Sequence, residues 1–142
     1  MNHDAAATLT AQIKREFRRR LIEEQLPRIT RCAELLGDER VWQRPSPNTN
    51  SVGNLILHVC GNTTQWIMSQ FTELKDQRMR DTEFAASHDY SVAQLSSQLR
   101  EVYTTACETV DNVTTEQLLA ELSVQGYAET GLSAILHVLE HT

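Results

Sequence analysis

Residues 42–66 read WQRPSPNTNSVGNLILHVCGNTTQW, and this stretch decides the fold because a loop, a helix start and a candidate ligand follow one another in it. Proline and asparagine disfavour continued helix, so residues 37–50 are predicted as a loop. Asn50 or Ser51 can then cap the exposed amides of a helix. The apolar residues that follow recur at helical spacing: Val52, Leu55, Ile56, Val59, Trp66 and Ile67. We therefore expect a helix from about residue 51 to about Leu74, with His58 inside its apolar run.

Two further amphipathic helices lie on either side of this segment. From about Ala5 to Leu36, apolar residues recur every three to five positions, and Gly37 is expected to end that helix. Pro27 lacks a backbone donor, which predicts a kink or short break near residues 25–27. Ser91, with Gln94 three residues later, predicts a capping box at the start of another helix that runs to about Val113.

The remaining segments are less regular. Lys75 to Tyr90 is polar and is predicted to be a long ordered crossover rather than a core element. Residues 114–130 are expected to form a mixed connection with a short helix near Glu116 to Leu122. Gly131 to Thr142 has helical spacing, and its apolar stripe is predicted to be Leu132, Ile135, Leu136 and Leu139. No strand-like run is evident, so we expect one all-α domain, residues 1–142, built as a four-helix bundle with a long crossover.

Composition and charge exclude several classes of function. The chain has 142 residues and a net charge of -6, which favours solubility and disfavours a nucleic-acid surface. The basic segment Lys14 to Arg20 has Glu16, Glu23 and Glu24 within helical reach, so a solvated helix face is favoured over a nucleic-acid patch. The three cysteines include no C-x-x-C pair, and no signal-like or membrane-spanning apolar run occurs. A cytoplasmic protein without nucleic-acid or membrane partners is expected.

The histidines carry the functional hypothesis. His137 and His141 are four residues apart, which places both on one side of a helix, so both could bind the same ion. The string from His137 to His141 also matches the H-x-x-E-H pattern of inverted zinc peptidases. We reject that interpretation because those enzymes take a third ligand well downstream, whereas the sequence ends one residue after His141. A third ligand must lie upstream, and His58 is the best candidate.

Spacing alone leaves alternatives open for these residues. His58 could be a hydrogen-bonded core residue, and the helical wheel permits His137 and His141 to be an exposed, idle pair opposite the apolar stripe. Three neutral imidazoles would suit zinc or nickel and leave positions open for water or substrate. Glu140 could orient a ligand or be a plain surface residue, and Cys60 is expected to be a small core hydrophobe. His3 and His88 are predicted to lie in the mobile N-terminus and in a loop, outside the site.

The strings around these histidines resemble the DinB-like superfamily, which includes the YfiT-type proteins, and within it a branch of uncharacterised function. Residues 42–66 are similar to the loop and second helix of that branch, with His58 at its first ligand position. Arg78 to Phe84, RMRDTEF, resembles its crossover, and Leu132 to Thr142, LSAILHVLEHT, resembles its last helix with ligands at His137 and His141. The resemblance covers essentially the whole chain.

The resemblance implies a four-helix bundle in which His58, His137 and His141 hold a divalent metal ion, zinc or nickel, in a protein that is frequently a homodimer. It implies a small-molecule substrate, because some relatives are low-molecular-weight thiol S-transferases and others are described as metal-dependent hydrolases. It names no catalytic residue. Relatives continue the last helix for several turns beyond the second ligand, so we expect a shortened last helix or weaker metal binding at His141.

Two functions of different class therefore remain open. The first is a metal-dependent enzyme, a hydrolase or thiol S-transferase, in which the ion activates water or a thiol for attack on an electrophile. The second is a non-catalytic dimerisation or stress-related helical module in which the metal is structural or absent. Elemental analysis and melting with and without chelator would separate the two.

Overall fold

A computed structural model describes residues 3–141, apart from the side chain of His3. Its first long helix comprises α1 (His3–Arg18), a wider π-helical segment (Arg19–Gln25) and α2 (Leu26–Arg40). The predicted irregularity before Pro27 is present as this π-helical segment. Gly37 has a φ of 73° and breaks the regular helix inside α2, at the residue where the sequence predicted its end. Residues 38–40 form a further helical turn beyond this kink.

The second helix begins at the predicted cap. Ser51 accepts a hydrogen bond from the backbone N–H of Asn54, and the Asn54 side chain accepts one from the backbone N–H of Ser51. This capping box starts α3 (Val52–Thr63), which continues through a π-helical segment (Thr64–Met68) into α4 (Ser69–Phe71). The helix therefore ends three residues before the predicted Leu74.

The crossover is more structured than its polarity suggested. It contains the short helix α5 (Arg80–Ala85), in which Glu83 is buried. The side-chain amide of Asn54 donates to the carbonyl oxygens of Glu83 and Ala86, at 2.9 and 2.8 Å. The indole N–H of Trp42 donates to the carbonyl oxygen of Tyr90. These bonds hold the middle and the end of the crossover against α3 and the loop before it.

The third long helix, α6 (Val92–Asp111), starts with the predicted capping box of Ser91 and Gln94. It packs against α1, α2 and α3 and supplies much of the core. Its buried face consists of Val92, Leu95, Leu99, Tyr103, Ala106, Cys107 and Val110. Burial of these side chains at positions three and four apart is what holds a helix in a bundle.

Residues 114–130, which connect α6 to the last helix, differ from the sequence prediction. After the short helix α7 (Thr115–Leu119), the chain forms an antiparallel hairpin of β1 (Glu121–Val124) and β2 (Tyr127–Thr130). The prediction that no strands occur, and that a helix reaches Leu122, was wrong. Gln125 and Gly126 both have positive φ, 53° and 80°, which is the requirement of a tight two-residue hairpin turn.

The last helix, α8 (Gly131–Glu140), follows the hairpin, with Thr130 and Ser133 forming another capping box. Its buried residues are Gly131, Ala134, Ile135 and Val138, whereas Leu136 is exposed. The predicted apolar stripe was therefore partly wrong, because the buried face is turned toward the side that carries His137. The architecture is all-α apart from the hairpin, as predicted.

The basic side chains near the end of α1 are paired with acidic ones. Arg19 forms ion pairs with Glu16 and Glu24, and Arg18 pairs with Asp111. The basic segment is therefore matched by acidic side chains on the same and neighbouring helices. In the part of the chain that the structure describes, no helix is both long and apolar enough to cross a membrane.

Candidate functional site

One face of α3 carries a row of polar residues and a glycine that point toward the crossover and α8. Asn54, His58, Gly61 and Asn62 occupy positions i, i+4, i+7 and i+8, so they lie along one side of the helix. Asn54 and Asn62 are buried and His58 is half-buried. The capping box at Ser51 fixes where this face begins.

The helix α8 brings the other two predicted ligands to the same place. The rings of His137 and His141 lie with centroids 4.9 Å apart, and the ring of His141 is 5.0 Å from that of His58. The Nε2 atoms of His58 and His141 are 2.8 Å apart. The structure thus brings all three sequence-predicted site residues together, with His141 exposed at the end of α8.

His137 is held by two residues of the second helix. Its ring stacks on the indole of Trp66, with centroids 3.6 Å apart and planes 13° from parallel. Its Nε2 atom lies 3.2 Å from Oδ1 of Asn62, at hydrogen-bonding distance. These contacts fix the ring position, but they direct Nε2 toward the amide rather than toward the other two histidines.

The three rings have the chemistry of a metal site without the geometry of a formed one. Two nitrogens bound to one tetrahedral zinc ion, each at about 2.0–2.1 Å, would lie roughly 3.3 Å apart. The Nε2 atoms of His58 and His141 are closer, at the distance of a hydrogen bond. Among residues 3–141, no group of three histidine, cysteine, aspartate or glutamate side chains is arranged to hold an ion. The donor set fits a metal ion, whereas the ring positions are those of a hydrogen-bonded cluster.

Burial keeps the imidazoles in the form that a metal needs. It is the main cause that lowers the pKa of His58, His137 and His141. For His58 the hydrogen bond with Glu83 opposes this shift, and the positive charge of Arg78 adds to it. For His141 the two neighbouring histidines lower the pKa further. The lowered pKa favours the neutral form of each ring, in which one nitrogen carries a lone pair.

Behind His58 lies a buried ion pair from the crossover that the sequence did not predict. Nε and one terminal nitrogen of Arg78 donate to the two carboxylate oxygens of Glu83, both at 2.9 Å. Oε1 of Glu83 is 3.1 Å from Nδ1 of His58. The ring of Phe84 packs 4.9 Å from that of His58, and the guanidinium of Arg80 lies over Phe84. The only sequence signal was the string RMRDTEF, in which no residue was singled out.

The other candidates lie outside the cluster. Cys60 is buried, and burial raises the pKa of its thiol to about 12, consistent with a core residue. His88 is exposed in the crossover, with its ring 6.4 Å from Trp42. Glu140 is exposed at the end of α8. The side chain of His3 lies outside the described residues, although its backbone begins α1.

A cleft of about 710 Å³ is lined in part by the same ion pair. Its walls come from α3, the crossover and α6, and they include Cys60, Gly61, Arg78, Glu83, Gln98 and Val102. None of the three histidines lines this cleft. The Arg78–Glu83 pair therefore contributes to the wall of the cleft and also contacts His58.

Comparison with known proteins agrees with this architecture. A model of a family described as a protein of unknown function, DUF1572, matches residues 10–142. The chain belongs to the DUF1572 family. No curated protein matches it. A crystal structure of a DinB-like protein from Bacillus cereus is similar, with 15% identity and a TM-score of 0.63 over 82% of this chain and 75% of that one. This DUF1572 member thus has the DinB-like fold that its sequence predicted.

Proposed function

We propose that this DUF1572 protein binds a divalent metal ion, zinc or nickel, through His58, His137 and His141, and uses it in an enzymatic reaction on a small molecule. The observation that supports the proposal is the meeting of three imidazoles from two helices, with the Nε2 atoms of His58 and His141 2.8 Å apart. Imidazole nitrogens are common ligands of both ions.

A bound ion would lower the pKa of a coordinated water molecule or thiol, which is the chemistry shared by hydrolysis and thiol transfer. The residues of this chain would perform the remaining tasks. Trp66 and Asn62 position the His137 ring, and the buried crossover pair supports His58 from behind. The three histidines would act as ligands and not as bases.

Metal content is the direct test. Protein purified without a histidine tag is loaded with zinc or nickel, dialysed and analysed for metal, alongside His58→Ala and the exposed-site control His88→Ala. We expect about one ion per chain in the wild type and the control, and a loss of at least tenfold in affinity in His58→Ala. Equal metal content in all three proteins would refute the histidine site.

Tryptophan fluorescence provides an independent readout, because Trp66 stacks directly on His137. Nickel, which is paramagnetic, should quench the emission of the wild type. Trp66→Phe should lose most of this quenching, whereas Trp42→Phe, which changes the other tryptophan, should keep it. Equal quenching in both variants would place the ion elsewhere.

The second candidate is a non-catalytic helical module that pairs with another copy and needs no ion. The hydrogen-bond distance between His58 and His141 favours it, since the cluster satisfies itself without metal. Melting with and without a chelator, together with molecular mass in solution, distinguishes the candidates. A dimer whose melting temperature and metal content do not respond to chelator or added zinc would support the module.

A further inference from the structure

The strongest observation outside the proposed ligands is the depth at which an ion pair of the crossover is buried. The side chains of Arg78 and Glu83 are only 6% and 10% exposed. A terminal nitrogen of Arg78 also donates to Oε1 of Gln65, and the Gln65 amide donates to Asp76. Because removing two charges from water costs free energy, such a pair is retained only where its hydrogen bonds are well satisfied.

The backbone of α3 makes room for this pair at one glycine. A Cβ atom at Gly61 would lie 1.9 Å from Oε2 of Glu83 and 2.9 Å from its carboxyl carbon. No side chain other than hydrogen fits that distance, so Gly61 is needed for the carboxylate to reach α3. The other carboxylate oxygen of Glu83, Oε1, lies 3.1 Å from Nδ1 of His58, which is three residues before Gly61 on the same face of α3.

The hydrogen-bond inventory around Nδ1 of His58 permits two arrangements. Nδ1 is 3.1 Å from Oε1 of Glu83 and 3.1 Å from a terminal nitrogen of Arg78. A carboxylate only accepts and a guanidinium only donates, so Nδ1 either donates to Glu83 or accepts from Arg78. In the first case Nε2 carries a lone pair, and in the second it carries the proton.

The first arrangement satisfies more groups. The terminal nitrogen of Arg78 uses one hydrogen on Oε1 of Glu83, and its second hydrogen has the backbone carbonyl oxygen of His58 within 3.5 Å. A proton on Nδ1 then forms a charge-assisted bond to the carboxylate. Nε2 of His58 then accepts from Nε2–H of His141, which lies 2.8 Å away.

We propose that Glu83 is a positioning residue that keeps the proton of His58 on Nδ1, and that Gly61 is a glycine so that this carboxylate can approach. The lone pair of Nε2 is thereby directed at His141 in advance of any ligand. This inference rests on the proposed function for its purpose. It concerns the metal-free protein, however, and can be measured without an ion.

The test is nitrogen-15 NMR of the histidine rings in the full metal-free chain at pH 8. The signal of His58 is assigned by its loss in His58→Ala. We expect the shift of Nδ1 to be that of a protonated nitrogen and the shift of Nε2 to be that of an unprotonated one. A wild-type spectrum with the proton on Nε2 of His58 would overturn the proposal, whatever metal binding shows.

Three variants extend the test. Glu83→Gln leaves one uncharged oxygen for the three groups that now face the carboxylate, Nε and a terminal nitrogen of Arg78 and Nδ1 of His58. Gly61→Ala displaces the carboxylate. In both variants the population protonated at Nε2 should rise. Asp81→Asn, which changes an exposed carboxylate on the same short helix, should leave the spectrum unchanged. Unchanged tautomers in folded Glu83→Gln and Gly61→Ala would refute the role of Glu83.

Zinc affinity separates this inference from the proposed function. With His58 as a ligand, Glu83→Gln should bind zinc 10- to 100-fold more weakly, and Asp81→Asn should bind it as the wild type does. If the wild type binds no zinc but shows the expected tautomers, the metal function fails and the positioning by Glu83 stands. If His58→Ala abolishes zinc binding but the wild-type proton is on Nε2 of His58, the metal function stands and the positioning by Glu83 fails.

Discussion

Replacing Asn54 by alanine should destabilise the protein far more than an ordinary polar substitution. Asn54 is fully buried, and its side chain joins the start of α3 to the crossover. Its oxygen accepts from the backbone N–H and the hydroxyl of Ser51, at 3.0 and 2.7 Å. Its nitrogen donates to the carbonyl oxygens of Glu83 and Ala86.

The magnitude follows from these four hydrogen bonds. Each contributes about 1 kcal/mol net, and the Ser51 hydroxyl can turn to another acceptor, so the expected loss is about 3 kcal/mol in the free energy of unfolding. With a urea dependence of about 2 kcal/mol per molar, the midpoint should fall by about 1.5 M.

The assay is urea unfolding followed by circular dichroism, with Asn112→Ala as the matched control. Asn112 is exposed, and its amide donates only to the carbonyl oxygen of Glu108 within α6 among its described contacts. The control should lose less than about 0.5 kcal/mol. If Asn54→Ala lost no more than the control, the connection between α3 and the crossover would contribute nothing, and the reasoning would be wrong.

Two further predictions concern titration and thiol reactivity. Because the pKa values of the three site histidines are lowered in the folded protein, the unfolded chain binds more protons below the ordinary histidine pKa of 6.5. The stability of the metal-free protein should therefore be fully present above pH 7 and should fall as the pH drops below 6.5 in urea titrations. A rise in stability on acidification below pH 6.5 would contradict this prediction. Burial raises the pKa of Cys60 to about 12 and of Cys107 to about 11, whereas Cys32 is exposed. A disulfide reagent at pH 8 should thus modify one thiol of the native protein rapidly and the other two only after unfolding, and three fast equivalents would argue against this packing.

The parts of the fold that the sequence predicted depend on local chemistry. Ser51 and Ser91 begin helices because the hydroxyl and the side chain three residues later satisfy exposed amides, whatever the rest of the chain does. Gly37 ends a helix because its φ is positive. These signals operate within four residues, so one sequence is enough to recognise them.

The hairpin was missed because its strands are only four residues long, too short for an alternating pattern to stand out. The sequence signal of its turn is Gly126, because glycine adopts a positive φ without steric cost. Leu136 was expected in the core because it is apolar. Helix α8 instead buries Ala134 and Val138, and only packing against the second helix decides between these faces.

In the candidate site, too, the sequence predicted the residues that local spacing identifies and missed the one that depends on contacts between distant segments. The helical spacing of His137 and His141, with the resemblance to the DinB-like superfamily, selected three residues that the structure brings together. Their role as metal ligands stays a prediction. Glu83 could not be selected, because its burial requires Gly61 and His58 from another helix and Arg78 from the crossover at the same time.

The close approach of Gly61 and Glu83 also restricts how sequences of this kind can diverge. Alanine at position 61 is incompatible with the present position of the carboxylate, so the two positions are expected to vary together among relatives. A relative that keeps both residues should keep a histidine at position 58, and one with a larger residue at 61 should carry a shorter side chain at 83. The residues at positions 61 and 83 are thus a sequence criterion for sorting family members by whether a carboxylate contacts the histidine at position 58.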